Sequence, residues 1–289
     1  MPKGGAARPQ RKPKLGQHFL NSEAAALRLV EALGDTSQAT VLEIGPGRGI
    51  LTSLLAPRVR RLIAIELDRV LAAQLRMKFA LCPNVEIIEG DVLAIDFGTL
   101  FGPKPGSTRP GLAHTPDPVR VIGNLPYYIT SDILLHLFSY RQGFDTLLLM
   151  VQKEVADRLA AAPGSRDYGL LTATTQVYAK VEKLFAVPPG AFAPPPKVYS
   201  AVVRLTMAPR LDRLRVPEEE FIRFLKLSFG QKRKTLWNNL KSDFAEDRLR
   251  AALQQAGVKP GVRAEALPLE KSAAIFRALS SRNGNQPGQ

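Results

Sequence analysis

One segment narrows the possible folds more than any other. Thr40–Gly45 (TVLEIG) is apolar, runs straight into Pro46-Gly47-Arg48-Gly49, and is followed at once by a helical pattern over Ile50–Ala56. Strand, glycine turn and helix in that order open a βαβ unit. The alternation continues down the chain. Leu62–Leu67 (LIAIEL) predicts a second strand, and Leu71, Leu75 and Phe79 mark the helix after it. Val85–Ile88 predicts a third strand, Val119–Ile122 a fourth with a helix over Ile133–Phe138, and Thr146–Val151 (TLLLMV) a fifth. Strands alternating with helices require a mainly parallel sheet covered on both faces, so the expected fold class is α/β.

The flanking regions read differently. Residues 1–13 are rich in Pro, Gly, Lys and Arg and predict a basic, flexible N-terminus. A helix is expected after Asn21–Ser22, with Leu27, Val30 and Leu33 on one face. Residues 98–118 hold four glycines and five prolines without periodicity, which predicts an inserted surface loop. Thr172–Val181 and Val198–Leu205 read as two more strands on either side of the proline-rich stretch Val187–Lys197. Beyond Pro209 four helical patterns follow: Phe221–Phe229, Lys234–Leu240, Asp247–Ala256 and Glu270–Leu279. The expected organisation is therefore a main α/β unit over 14–208 and a smaller helical unit over 209–289.

Charge points to the partner. The 289 residues carry 40 Lys+Arg against 26 Asp+Glu, a formal net charge of +14. Such an excess favours a polyanion, because each neutralised phosphate releases condensed counterions. No run of about 18 apolar residues exists, so no membrane-spanning helix is expected. The opening MPKGGAARPQRKPK lacks the apolar stretch of a secretory signal, and a cytoplasmic location is expected. The single cysteine, Cys82, rules out an internal disulfide. His18, His114 and His136 have no ligand spacing, so no metal is expected; His136 reads as a satisfied histidine on an apolar helix.

Four groups carry the chemistry, all at the carboxyl ends of predicted strands, where open α/β sheets bind ligands. The first is the Glu43–Gly49 turn, whose G-x-G-x-G spacing differs from the G-x-G-x-x-G of dinucleotide enzymes. Its acid, Glu43, suits a cationic or zwitterionic cofactor better than a pyrophosphate. The second is Glu66, placed to accept both hydroxyls of a ribose, with Asp68 the better helix cap. The third is Asp91, placed to accept from an adenine amino group. The fourth is Asn124-Leu125-Pro126-Tyr127. An exocyclic adenine amine is a poor nucleophile because its lone pair is delocalised into the ring. Two acceptors, the Asn124 side-chain oxygen and the Leu125 carbonyl, can grip its hydrogens and aim the lone pair at an electrophile, while Tyr127 stacks on the base.

With these residues in view, the chain resembles the ribosomal RNA adenine N6-dimethyltransferase family from about Lys14 to Leu279. The resemblance is carried by Leu15-Gly16-Gln17-His18-Phe19-Leu20, by GPGRG, by NLPYYIT, by Phe192-Ala193-Pro194-Pro195-Pro196-Lys197-Val198, by Phe229–Leu236 (FGQKRKTL) and by Arg263-Ala264-Glu265. His18 stands where asparagine is also frequent, and Tyr199 where aspartate is common. The resemblance implies a Rossmann-like methyltransferase sheet and S-adenosylmethionine as methyl donor. It implies that His18, Leu20, Gly45, Gly47, Glu66, Asp91 and Asn124 contact the methyl donor. Asn124, Leu125 and Tyr127 would form the catalytic corner, with Phe192 stacking on the target adenine opposite Tyr127.

The implied substrate is a pair of adjacent adenines near the 3′ end of small-subunit (16S) ribosomal RNA, in the subunit or its precursor, with the protein expected to act as a monomer. Lys232, Arg233 and Lys234, and the basic set Lys3, Arg8, Arg11, Lys12 and Lys14, are expected to grip phosphates. Trp237 reads as core or as a stacking platform. Two rivals stand beside this reading: a large-subunit rRNA adenine methylase sharing the fold, and a non-enzymatic assembly or transcription factor on the same scaffold. The Gln231–Leu236 signature argues against the first and the intact Glu66, Asp91 and Asn124 against the second.

Overall fold

The computed structural model describes residues 18–101 and 119–281. The basic N-terminal set, Leu15–Gln17, His114 and nearly all of the predicted 98–118 insertion lie outside the described residues. The chain opens with β1 (Phe19–Leu20) and α1 (Glu23–Glu31), the latter capped by Ser22, whose hydroxyl accepts from Ala25 N–H. Then come β2 (Thr40–Ile44), α2 (Ile50–Leu55), β3 (Arg61–Glu66), α3 (Arg69–Lys78), β4 (Val85–Glu89) and a short α4 (Phe97–Phe101). They are followed by β5 (Val119–Asn124), α5 (Thr130–Ser139), β6 (Phe144–Gln152), α6 (Lys153–Leu159), α7 (Leu170–Tyr178), β7 (Ala179–Val187), β8 (Phe192–Ala193) and β9 (Ser200–Met207). The helices α8 (Leu211–Leu214), α9 (Glu218–Ser228), α10 (Leu236–Leu240), α11 (Glu246–Gln255) and α12 (Leu269–Ser280) complete the described chain.

Seven strands form one sheet in the order β4-β3-β2-β5-β6-β9-β7. The first five in that order are parallel; β9 runs antiparallel to both β6 and β7. The order in which strands are added reverses at β2, which pairs with β3 on one side and β5 on the other. That is the topological switch point of an open α/β sheet, and the crevice outside its carboxyl ends is where ligands bind. Central strands are apolar on both faces because helices cover both: β2 and most of β3 are buried throughout. Two apolar clusters result. The larger runs from Leu42, Ile63 and Val121 through Val177 and Tyr178 into Phe221, Phe224 and Phe276 of the C-terminal helices.

One expected strand is corrected. Thr172–Val181 is not a strand; it holds most of helix α7 and the first residues of β7. The three threonines and Val177 give this stretch β propensity, yet Thr172, Ala173, Thr174, Thr175 and Val177 are all buried in the helix. Thr172 Oγ1 donates to Arg158 O at 2.6 Å and accepts from Gly169 N–H at 3.2 Å, so tertiary partners absorb a hydroxyl that would weaken an isolated helix. The two-residue pair β1–β8, in which Phe19 lies opposite Ala193 and Leu20 opposite Phe192, carries no periodicity that sequence reading can detect.

Candidate active site

A cavity partly open to solvent sits at the carboxyl ends of β2, β3, β4 and β5. His18, Gly45, Gly47, Glu66, Asp91, Asn124, Leu125 and Tyr127 all line it. Those eight expected site residues come from five segments of the chain, and the sheet register explains their convergence: parallel strands in register end at one edge.

The glycine loop forms the floor. Gly45, Gly47 and Gly49 have φ of +66°, +57° and +78°, a region that side chains other than glycine rarely adopt. At Gly47 space is also short: a Cβ would lie 2.9 Å from Phe19 Cδ1 of the β1 segment. Gly47 N–H donates to Glu66 Oε2 at 2.9 Å, and Asp68 N–H donates to Glu66 Oε1 at 2.9 Å. The buried Glu66 carboxylate thus fastens the glycine loop to the start of α3 and still faces the cavity. Asp91 accepts from Leu93 N–H at 3.0 Å and remains exposed at the cavity wall. Ile44, Ile65, Val92 and Ile133 give the cavity apolar walls between these polar points. A few aimed polar groups on an apolar lining are what a nucleoside-bearing ligand requires.

Asn124 and Tyr127 form the opposite rim. Asn124 Nδ2 donates to His18 O at 3.0 Å, and Leu125 N–H donates to Met150 O at 3.0 Å, which anchors the turn to β6. Tyr127 is half-buried; its hydroxyl is 2.7 Å from Ser200 Oγ and its ring stacks on His18 at 5.8 Å. Burial raises the Tyr127 pKa, partly offset by the Ser200 bond, so the phenol is neutral at physiological pH. Ser200 and the exposed Tyr128, which also lines the cavity, were not legible as site residues. Ser200 lies 73 residues from Tyr127 and no local motif joins them.

Three side chains lie off the cavity lining. Phe192 is a buried side chain, 3% exposed, packed with Leu20, Val187 and Val202, and is not among the residues lining the cavity. Leu20, 7% exposed, joins the same cluster and is not a lining side chain. Both follow from the β1–β8 pairing, which sets Leu20 directly opposite Phe192. Glu43 lies behind the glycine loop, where its Oε2 accepts from Thr52 Oγ1 at 2.7 Å and its Oε1 has no partner.

Burial, with repulsion from Glu66, raises the Glu43 pKa to about 7, against the Thr52 bond. A carboxyl pushed up from 4.5 to about 7 costs the folded state nothing below pH 4.5, and progressively more as pH climbs to about 7. The full penalty is about 3 kcal/mol. Denaturant titrations at about pH 5 and about pH 8 are expected to show wild type losing roughly that much more stability than Glu43→Gln between the two.

The remaining sites lie away from the cavity. Lys232, Arg233 and Lys234 are exposed on the turn between α9 and α10, where Lys232 Nζ donates to Arg166 O at 3.0 Å. Trp237 packs half-buried against the larger core with the Arg250 guanidinium 5.5 Å from its ring, which favours the core reading. His136 Nε2 is 2.9 Å from Ile95 O, a satisfied histidine. Among the described residues no three His, Cys, Asp or Glu side chains are grouped to hold a metal ion, and no helix is long and apolar enough to cross a membrane.

Known proteins resemble this chain along nearly its whole length. A family model described as ribosomal RNA adenine dimethylase matches residues 8–281. A protein of Koribacter versatilis named ribosomal RNA small subunit methyltransferase A is 55% identical over 282 residues, 96% of this chain and 99% of its own. One of the same name from Acidobacterium capsulatum is 54% identical, over 94% of this chain and 92% of its own. Among solved structures, the 23S rRNA methyltransferase ErmE superposes with a TM-score of 0.64 at 28% identity, covering 91% of this chain and all of its own. A dimethyladenosine transferase from Plasmodium falciparum superposes at 0.70 over 89% of this chain and 96% of its own; at 24% identity it speaks to the fold alone.

Proposed function

The chain belongs to the ribosomal RNA adenine dimethylase family, and from that premise we propose how its cavity dimethylates N6 of two adjacent adenines near the 3′ end of small-subunit rRNA. It is an S-adenosylmethionine-dependent rRNA adenine dimethyltransferase. The observation that carries the proposal is that one cavity holds both a nucleoside-binding edge, Gly45, Gly47, Glu66 and Asp91, and an amine clamp, Asn124, Leu125 and Tyr127.

The residues present fit the methyl donor. Gly45 and Gly47 let the main chain approach its methionine part, Glu66 accepts from the ribose hydroxyls, and Asp91 accepts from the adenine amine. When bound, S-adenosylmethionine supplies an electrophilic methyl group on a sulfonium sulfur. Asn124 Oδ1 and the Leu125 carbonyl accept the two hydrogens of the target N6 amine. Among the described residues, nothing else donates to either oxygen. Drawing both hydrogens to one side pulls the nitrogen out of conjugation and turns its lone pair into the cavity. Tyr127 stacks on the unpaired base, and the amine proton leaves to water. No general base is needed, and Tyr127, kept neutral by burial, is a platform rather than an acid–base group.

The target base must be unstacked to enter. The exposed Lys232, Arg233 and Lys234, in the helical part 209–281, hold the RNA backbone, and this part reads RNA by shape. The protein acts as a monomer without a metal ion, in the cytoplasm where ribosomal subunits assemble. The small subunit is preferred over the large one because the relatives at 55% and 54% identity carry that name, whereas the ErmE likeness is 28%. Mass mapping of methylated adenines, after incubation with labelled methyl donor and under-methylated subunits, is expected to find two adjacent dimethylated adenines in small-subunit RNA. Label confined to large-subunit RNA would overturn the assignment.

A further inference from the structure

Asn124 presents a problem of orientation that its own strand does not solve. A carboxamide has an oxygen that accepts and a nitrogen that donates, and a half-turn exchanges them. Only the oxygen can receive the target amine; a flipped amide would set N–H against N–H. Asn124 Nδ2 donates to the main-chain carbonyl of His18 at 3.0 Å, across 106 residues of sequence. A carbonyl can only accept, so it admits one orientation of the amide and leaves Oδ1 turned from it.

The His18 carbonyl is itself held on three sides. It immediately precedes β1, which pairs with β8 through Phe19 and Ala193. The His18 ring places Nδ1 2.8 Å from Pro194 O; since that oxygen also only accepts, the proton sits on Nδ1. The other side of the ring stacks on Tyr127, whose hydroxyl is tied to Ser200 at the start of β9. The ring therefore bridges the turn that carries the amine clamp, residues 124–127, and the main chain just after β8.

We propose that His18 is a positioning residue for Asn124: its main-chain carbonyl sets which atom of the amide faces the target amine, and its ring fixes that carbonyl. The acceptor for the substrate then exists only while β1, with His18 just before it, is paired with β8. This gives His18 a role toward the base in addition to its expected contact with the methyl donor. It rests on the reading of Asn124 given above.

Asn124→Asp separates orientation from mere presence of an acceptor. As a neutral acid it donates to His18 O and keeps a carbonyl for the amine; as a carboxylate it sets a charged oxygen against that carbonyl. Its methylation rate relative to wild type is expected to rise at least about tenfold from about pH 8 to about pH 6. His18→Ala is expected to lower kcat about tenfold with a smaller change in KM for the methyl donor, and His18→Asn, which can still donate to Pro194 O, to recover most of it. Calorimetric titration with the methyl donor checks that each variant is folded. A flat pH ratio for Asn124→Asp, whether it is active or inert throughout, overturns the proposal, as does an unchanged kcat in His18→Ala. Failure of the underlying reading shows separately, as retained methyl transfer in Asn124→Ala.

Discussion

Asn124→Ala is expected to lower the rate of methyl transfer by about 10³-fold or more while leaving methyl-donor affinity within about threefold of wild type. The asymmetry follows from where the side chain sits. Asn124 closes β5 at the cavity rim, and its Nδ2 is already committed to His18 O. Its Oδ1 offers the target nitrogen an acceptor whose worth grows as that nitrogen becomes tetrahedral, so its loss falls on the transition state. The methyl donor's ribose and adenine are instead served by Glu66 and Asp91, on the far side of the glycine loop. Alanine also leaves the His18 carbonyl without its amide partner, a smaller loss at a site open to water. Single-turnover transfer of labelled methyl to under-methylated subunits measures the first quantity and calorimetry the second. Wild-type transfer by the variant removes Asn124 from the chemistry.

How far the sequence reveals such a site depends on how local the interactions are. The strand–turn–helix units are local, and β2, β3, β4, β5 and β6 fall where their apolar runs place them. Because parallel strands end at one edge, Gly45, Glu66, Asp91 and Asn124 were legible as one group without knowledge of any contact. Long-range pairing was not legible. The β1–β8 pair joins residues far apart in sequence, and it turns Leu20 and Phe192 into the core. Ser200 has no sequence mark because its only distinction is a hydroxyl 2.7 Å from Tyr127. Helix α7 reads as a strand in sequence because a run of β-branched residues favours one, and it takes burial of that run, with Thr172 Oγ1 bonded to Arg158 O, to make the helix. Glu43 looked like a ligand from its place beside the loop, but in a strand neighbouring side chains take opposite faces, and its own points to Thr52.

Glu66→Ala is expected to weaken methyl-donor binding by about 10²–10³-fold with little change in affinity for RNA. Two losses combine. The ribose hydroxyls lose a charged acceptor, and each hydrogen bond to a charged group is worth about 1.5–3 kcal/mol. Two at the lower end already amount to about 10²-fold. In addition, Gly47 N–H and Asp68 N–H lose the carboxylate that each meets at 2.9 Å, so the glycine loop and the start of α3 come untied from one another. Glu66→Gln distinguishes the two losses. Its amide oxygen can keep one of the main-chain donors, but its NH₂ faces the other donor instead of accepting from it. Glutamine is therefore expected to restore only part of the affinity, and an affinity equal to wild type in that variant would mean that shape alone, not the second acceptor oxygen, holds the loop in place. Calorimetric titration of both variants with the methyl donor, beside RNA binding measured at matched salt, reads each arm. An alanine variant that binds the methyl donor within about threefold of wild type would move the ribose elsewhere in the cavity.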